Sequence, residues 1–283
     1  FTSGTTAVPK VVTLTHAQVM TAASAIAAVL ELTPSDRTLS VMPLFHIHGL
    51  SALFATWCTG GTAVMPRAFD DARVVGTMRD EAITWLTAAP TLHRALLETA
   101  RRSSAAPPVP SLRFLRSASS AMPAMLADAL EATFGVPLIE AYGLTEAAPQ
   151  VASQRLPPQR RVRGSVGTPA GPALRIVDPA GRPLGADEVG EIAVRGATVC
   201  GDGWLRTGDL GRLDPEGHLF VVGRIADEIN RGGEKIAPGE VEAAFSSHAA
   251  VSAVAAFGLP HPTLGESVAA AVVVTSGEQV STQ

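Results

Sequence analysis

Near the start of the chain, Thr2-Ser3-Gly4-Thr5-Thr6-Ala7-Val8-Pro9-Lys10 places four hydroxyls, a glycine and a lysine in one run. Backbone N–H groups, hydroxyls and an ammonium gathered this way can converge on a polyphosphate. The run is not the nucleotide loop of GxxxxGK[ST] form. A second cluster, Tyr142-Gly143-Leu144-Thr145-Glu146, offers a ring to stack on a purine, a hydroxyl for a phosphate oxygen and a carboxylate for Mg²⁺. Thr207-Gly208-Asp209, between apolar runs, reads as a turn whose aspartate can accept two hydrogen bonds from a ribose diol. The fourth cluster, residues 223–242, contains a Gly232-Gly233 step that lets backbone approach a ligand closely. Taken alone, the first three have plainer readings: a solvated loop, a helix start with an acidic first turn, and a turn.

The elements that must position these clusters follow from the patterning. Thr15 and Gln18 form a capping box ahead of an apolar stretch, which predicts a helix from His16 to about Leu32. Extended and helical segments then alternate: Thr38–Met42, Leu50–Cys58, Thr62–Met65, Asp70–Glu81, Ile83–Thr87, Thr91–Arg102, Leu112–Ser117, Pro123–Phe134 and Val136–Glu140. That rhythm predicts parallel strands covered by helices, with ligands at the carboxyl ends of the strands. From Gly164 to Gly223 short apolar runs separated by Asp-Pro and Gly-Ala-Asp turns predict antiparallel hairpins. Beyond Arg224, a helix at Pro238–Ser247 and strands at Ser252–Phe257 and Ser267–Val274 predict a small α+β unit. The expected fold class is α/β: a layered α/β core at 1–163, a β-rich subdomain at 164–225 and the start of a small α+β C-terminal domain at 226–283.

Composition bounds the function. The chain has 283 residues, 46% of them hydrophobic and 17% charged, which fits a globular protein and excludes a disordered tail. A net charge of −4 gives no global field for nucleic acid or an anionic membrane, so a bound anion must be held locally. Two distant cysteines, Cys58 and Cys200, form no disulfide framework or metal cage, and a reducing cytoplasm is the expected compartment. No apolar run has the roughly 20 residues a membrane-spanning helix needs. Opening on Phe1 in the middle of a motif, the sequence reads as a piece of a longer chain.

In this order and at these separations, the four clusters resemble those of the adenylate-forming superfamily of acyl-CoA synthetases, adenylation domains and luciferases. The resemblance covers essentially the whole chain, including the segments 43–49 around His46 and 117–121 around Ser119. Leu112–Ser117, Glu140-Ala141-Tyr142 and Ile229–Lys235 look most like the oxalate and fatty-acid CoA ligase-like branch. The resemblance implies ATP-dependent activation of a small carboxylic acid to an acyl-adenylate, followed by thioester formation with coenzyme A, with Mg²⁺ as metal. It implies that Thr2, Ser3, Gly4, Thr5, Thr6 and Lys10 hold the β and γ phosphates, Thr145 the α-phosphate and Glu146 the Mg²⁺. By the same resemblance Ser119, Ala121 and Tyr142 flank the adenine, Asp209 binds the ribose and Arg224 sits near ribose and phosphate. His46 lies beside the acyl and thiol channel, and Gly232 and Gly233 line the pantetheine path. The alternatives are an adenylation domain loading a carrier protein and an inactive nucleotide-binding homologue.

Departures from the family pattern sharpen these expectations. Ala7 and Val11 replace glycines of the phosphate loop, the segment 197–203 is short, and Ala226 stands at a hinge position usually Asp or Lys. No acidic residue lies between Leu39 and Asp70 to pair a substrate ammonium, which disfavours α-amino acids. Ala141 stands where malonate-activating members carry arginine. Without the family's N-terminal region and terminal lysine, residues 1–283 alone are expected to turn over negligibly.

Overall fold

The computed structural model describes residues 10–67, 69–70, 72–102, 109–246, 248 and 250–274. The phosphate-loop residues Thr2, Ser3, Gly4, Thr5 and Thr6 lie outside them.

Helix α1 (His16–Val29) begins at the predicted capping box: Gln18 N donates to Thr15 Oγ1 at 3.1 Å, and Thr15 N donates back to Gln18 Oε1 at 2.8 Å. The alternating segments follow as β1 (Arg37–Leu39), α2 (Ile47–Cys58), β2 (Thr62–Val64), α3 (Val74–Asp80), β3 (Trp85–Ala88), α4 (Pro90–Arg102), β4 (Phe114–Ser117), α5 (Ala124–Phe134) and β5 (Leu138–Gly143). Strands β2-β1-β3-β4-β5 lie side by side and parallel, as the rhythm requires. The sheet then continues antiparallel through β6 (Gln150–Ser153) and β7 (Thr168–Pro169), where the rhythm had no strand to offer. Only residues 144–149 join β5 to β6, too few for a parallel crossover, so the chain folds straight back.

Alternation along each strand sorts the core into two faces. On one, Leu86, Leu115 and Leu138 pack with Met78, Leu96, Leu130 and Phe134 of α3, α4 and α5. On the other, Trp85, Phe114 and Ile139 pack with Ile26 and Leu30 and with Ala52 and Ala55 of α2. The Trp85 and Phe114 rings stack at 5.7 Å. Thr87 and Arg116, two residues beyond Trp85 and Phe114, therefore share the α2 face, whereas Ser117 and Glu140, paired across β4 and β5, share the opposite one.

The hairpin region forms a four-stranded sheet in the order β11-β10-β9-β8, from β8 (Ala173–Val177), β9 (Gly190–Arg195), β10 (Leu205–Leu213) and β11 (Leu219–Arg224). A third sheet, β13-β12-β15-β14, combines β12 (Ile229–Arg231), β13 (Glu234–Ile236), β14 (Val251–His261) and β15 (Gly265–Val274), with α6 (Pro238–Ser246) between β13 and β14. Two compact units emerge. One holds the described residues through Arg175 with 193–205 and 213–220, and the other holds 176–192, 206–212 and the described residues from Val221 onward.

Candidate functional site

In the first unit, β5 delivers Tyr142 and Gly143, and Thr145–Ala147 form a single 3₁₀ turn rather than the start of a longer helix. Gly143 is required there: a Cβ would sit 1.9 Å from the carbonyl oxygen of Pro149, whose chain folds back over it. The turn is held from outside. Cys200 N donates to the Glu146 carbonyl at 2.8 Å, and Gln18 Nε2 of α1 donates to Val199 O at 3.1 Å, so the short segment 197–203 ties the turn to α1. The Cys200 thiol is pushed up by burial and then by the Glu146 carboxylate, while Lys10 acts in the opposite sense. Lys10 and Glu146 thus bear on one thiol. Among the described residues no hydrogen bond or ion pair engages the Thr145 hydroxyl or the Glu146 carboxylate, which leaves both for a ligand. An unneutralised carboxylate beside a free hydroxyl fits Mg²⁺ and a phosphate oxygen.

The segment around His46 divides its two histidines. His46 is exposed and caps α2, its Nδ1 accepting from His48 N at 3.2 Å, so the helix starts at Ile47 instead of Leu50. His48 is the one turned inward, 4% exposed. Its Nε2 lies 2.6 Å from Thr87 Oγ1 and its Nδ1 2.9 Å from Ser119 Oγ. Arg116, 3% exposed, donates from Nη1 to Thr87 Oγ1 at 3.2 Å and from Nη2 to Gln150 Oε1 at 3.1 Å, and its Nη1 is 3.4 Å from His48 Nε2. Burial drives His48 well below its ordinary range, helped by Arg116, His46 and His93, and burial alone brings Arg116 down to about 10. Ser119 closes the chain in an exposed loop at φ +79°, a left-handed conformation that costs a serine about 1–3 kcal/mol and marks a held position. Ala121 lies in the same exposed loop. His48, Thr87, Arg116 and Gln150 are the polar residues that motif reading missed. The available signal was an arginine inside the buried strand 112–117 and a second histidine two residues after the first.

In the second unit Thr207-Gly208-Asp209 is not a turn but the interior of β10. Gly208 at φ +76° kinks the strand, and its N–H donates to Glu191 Oε1 at 2.9 Å. Thr207 Oγ1 donates to Ile192 O at 2.9 Å and accepts from Asp209 N at 3.1 Å. Arg224 Nε donates to Asp209 Oδ1 at 2.8 Å, so two residues expected near the same ribose are already partners. Gly232 and Gly233 make the turn of the β12–β13 hairpin at φ +64° and +94°, a two-glycine turn with both φ positive. Gly233 N donates to Asn230 Oδ1 at 3.0 Å. Elsewhere Asp214, Glu216 and His218 cluster in the β10–β11 turn of the first unit, where His218 Nδ1 is already bonded to Asp214 at 2.9 Å.

The clusters around Tyr142, Asp209 and Gly232-Gly233 thus fall on defined strands and turns, and the comparison with known proteins shows the family. A family model described as AMP-binding enzyme matches residues 1–201, and one described as AMP-binding enzyme C-terminal domain matches 240–283. The chain belongs to the AMP-binding enzyme family. Oxalate–CoA ligase of Saccharomyces cerevisiae is 38% identical over 297 residues, covering 99% of this chain and 54% of the relative. The ATP-bound crystal structure of MatB from Rhodopseudomonas palustris superposes with a TM-score of 0.87 at 28% identity, over 95% of this chain and 56% of that one. o-Succinylbenzoate CoA synthetase from Bacillus subtilis, solved with its acyl-adenylate intermediate, gives a TM-score of 0.86 at 33% identity, over 99% and 59%. The chain spans a little more than half the length of these AMP-binding relatives. Among its described residues no helix is long and apolar enough to cross a membrane.

Proposed function

We propose that the protein is an AMP-forming acid–thiol ligase, in which a small carboxylic acid reacts with ATP and the acyl group then passes to the thiol of coenzyme A. A carboxylate oxygen forms a bond to the α-phosphorus as the bond to pyrophosphate breaks; the thiolate then bonds to the carbonyl carbon and AMP leaves. The acid is already ionised at neutral pH, so the first step needs no base, only groups that bring two anions together and spread the phosphate charge. The observation that carries this reading is the pair of groups left unengaged among the described residues, the Thr145 hydroxyl and the Glu146 carboxylate, at the end of β5 beside Lys10 and the 197–203 segment. We assign Thr145 to the α-phosphate, Lys10 with Thr2, Ser3, Gly4, Thr5 and Thr6 to the β and γ phosphates, and Glu146 to Mg²⁺. When bound, Mg²⁺ neutralises phosphate charge. Ser119, Ala121 and Tyr142 flank the adenine, Asp209 takes the ribose with Arg224 alongside, His46 stands by the acyl channel, and Gly232 and Gly233 line the pantetheine path.

Two relatives, an oxalate–CoA ligase and an o-succinylbenzoate CoA synthetase, support coenzyme A over a carrier protein as acceptor. Two free cysteines support a cytoplasmic setting. The test is pyrophosphate release by the full-length protein against a panel of small carboxylic acids, simple acids being preferred over matched α-amino acids. Glu146→Gln keeps size and loses the anionic ligand; it is expected to lower kcat for adenylation by roughly 10²- to 10³-fold, with partial recovery at raised Mg²⁺. Adenylation within about threefold of wild type, far below the loss expected for a transition-state contact, overturns the assignment.

A further inference from the structure

We propose that Arg116 is a positioning residue that fixes the direction of a buried hydrogen-bond chain, Arg116–Thr87–His48–Ser119, so that the hydroxyl of Ser119, a residue whose backbone borders the adenine on our assignment, is left as an outward donor for an anionic oxygen of the acid. The inference rests on the ligase reading for its ligand and on geometry for everything else. A guanidinium only donates. With Arg116 Nη1 at 3.2 Å, Thr87 Oγ1 is an acceptor on that side, and its own proton goes to the neighbour at 2.6 Å, His48 Nε2. Arg116 Nη1 also lies 3.4 Å from His48 Nε2, a contact that is a hydrogen bond only where Nε2 accepts, since a protonated Nε2 would leave two donors facing each other at a buried site. Nε2 is therefore the acceptor and the neutral ring carries its proton on Nδ1. That proton is donated to Ser119 Oγ at 2.9 Å, and the serine's own O–H points onward.

The remaining partners fix the anchor without reversing it. Gln150 Oε1 accepts from Arg116 Nη2 at 3.1 Å, and Gln150 Nε2 is committed to Ala170 O at 3.0 Å. Among the described residues no carboxylate pairs with Arg116, so the cation acts on hydroxyl and amide dipoles alone. The titratable and charged groups that bear on His48 are Arg116 from β4, His46 from its own helix and His93 from α4, all of which oppose a charged ring. A chain that begins at a 3%-exposed cation and ends on an exposed residue delivers its polarity outward. The outward donor favours an acceptor-only group, a carboxylate or sulfonate, over an ammonium or amide N–H.

The decisive measurement is the ¹⁵N spectrum of histidine-labelled protein at pH 7, with His48→Gln identifying the signal. The expected pattern is a neutral ring protonated at Nδ1, the less common tautomer. A ring protonated at Nε2, or an imidazolium, overturns the proposal whatever the protein's activity. Arg116→Met and, as a milder test that keeps the core charge, Arg116→Lys are then compared, with Thr87→Val breaking the chain at its middle. Arg116→Met and Thr87→Val are expected to mix the tautomers and raise KM for the acid about tenfold, the cost of one lost charge-assisted hydrogen bond. KM for ATP should stay put, and Arg116→Lys should recover part of the loss. An unchanged acid KM alongside a changed tautomer also overturns the proposal, since the chain would then be structural only. Absence of turnover with every acid counts against the ligase reading instead, and the spectrum tells the two failures apart.

Discussion

Arg116 and Arg224 carry the same charge and are accommodated in opposite ways. Arg116 is buried in the first unit with Thr87 and Gln150 as partners, its Nε unpaired. In the second unit Arg224 keeps 55% of its side chain in solvent and is paired with Asp209, which is 7% exposed. The register explains why the buried arginine lacks an acid: Glu140 is the nearby buried carboxylate on β5, but it pairs with Ser117, so the pleat turns it to the opposite face of the sheet. A buried charge costs several kcal/mol that neutral partners only partly offset, while an ion pair at the surface is worth about 0–1 kcal/mol. Charge inside the first unit therefore sits there at the expense of stability; in the second, where Arg224 is more than half exposed, solvent screens it and its net effect on stability is small.

The largest expected effect comes from breaking the frame that holds Arg116. Gly143→Ala would drive a Cβ to within 1.9 Å of Pro149 O, backbone against backbone, and displace β6, which carries Gln150. A loss of about 4 kcal/mol or more in urea unfolding is expected, in the range reserved for severe steric mechanisms. A loss under about 1 kcal/mol, the size of an ordinary substitution, would mean that the frame yields and that the contrast between a rigid and an adaptable cation site is not real.

Next in size is the pH dependence of Glu140. Burial raises its pKa to about 7, with Arg163 opposing, Glu131 adding and Arg161 opposing. In the unfolded chain a glutamate titrates near 4.3, so between about pH 4.3 and 7 the folded state holds a proton the unfolded state has lost. That contribution is fully present below the unfolded value and disappears as pH rises through 7, on the order of 2–3 kcal/mol. Glu140→Gln should flatten that part of the stability curve, read from urea midpoints at pH 5 and pH 7.5. A wild-type curve that rises across the same window after the acid limb is complete would show that Glu140 is charged and compensated.

The layout of the first unit was legible because β/α alternation and a capping box are local signals, and Thr15–Gln18 meet as their spacing demands. The motif clusters were legible as residue types, and the β5 turn, the Gly232–Gly233 turn and Asp209 are all built into defined elements. What could not be read was pairing. The return of β6 on β5 depends on how residues 144–149 close, and the strand character of 207–209 depends on β10 lying between β9 and β11, neighbours that local sequence does not name. His48 was passed over for His46 because a motif names a position, whereas burial and partners come from β3, β4 and the 117–121 loop. The Arg224–Asp209 pair, fifteen residues apart in sequence, was likewise invisible until β10 and β11 lay side by side.

That pair gives the smallest expected effect on stability and the sharpest form of the contrast. Arg224 is more than half exposed, so its attraction for Asp209 is screened by solvent and a double-mutant cycle of Arg224→Ala and Asp209→Asn should yield a coupling of about 1 kcal/mol or less. Kinetics should respond more than stability does. On our assignment Asp209 holds the ribose in ground and transition state alike, so in the full-length protein Asp209→Asn should raise KM for ATP while kcat changes far less, the opposite of the pattern expected for Glu146→Gln. Arg224 is drawn by the same carboxylate that the ribose requires, and Arg224→Ala removes one partner of that carboxylate together with a neighbouring cation. Because the two changes act in opposite senses, KM for ATP should change less than it does in Asp209→Asn. A coupling of 3 kcal/mol or more, the size found when a buried pair is broken, would show that the Asp209–Arg224 pair is as dry as Arg116 and erase the difference between the two regions.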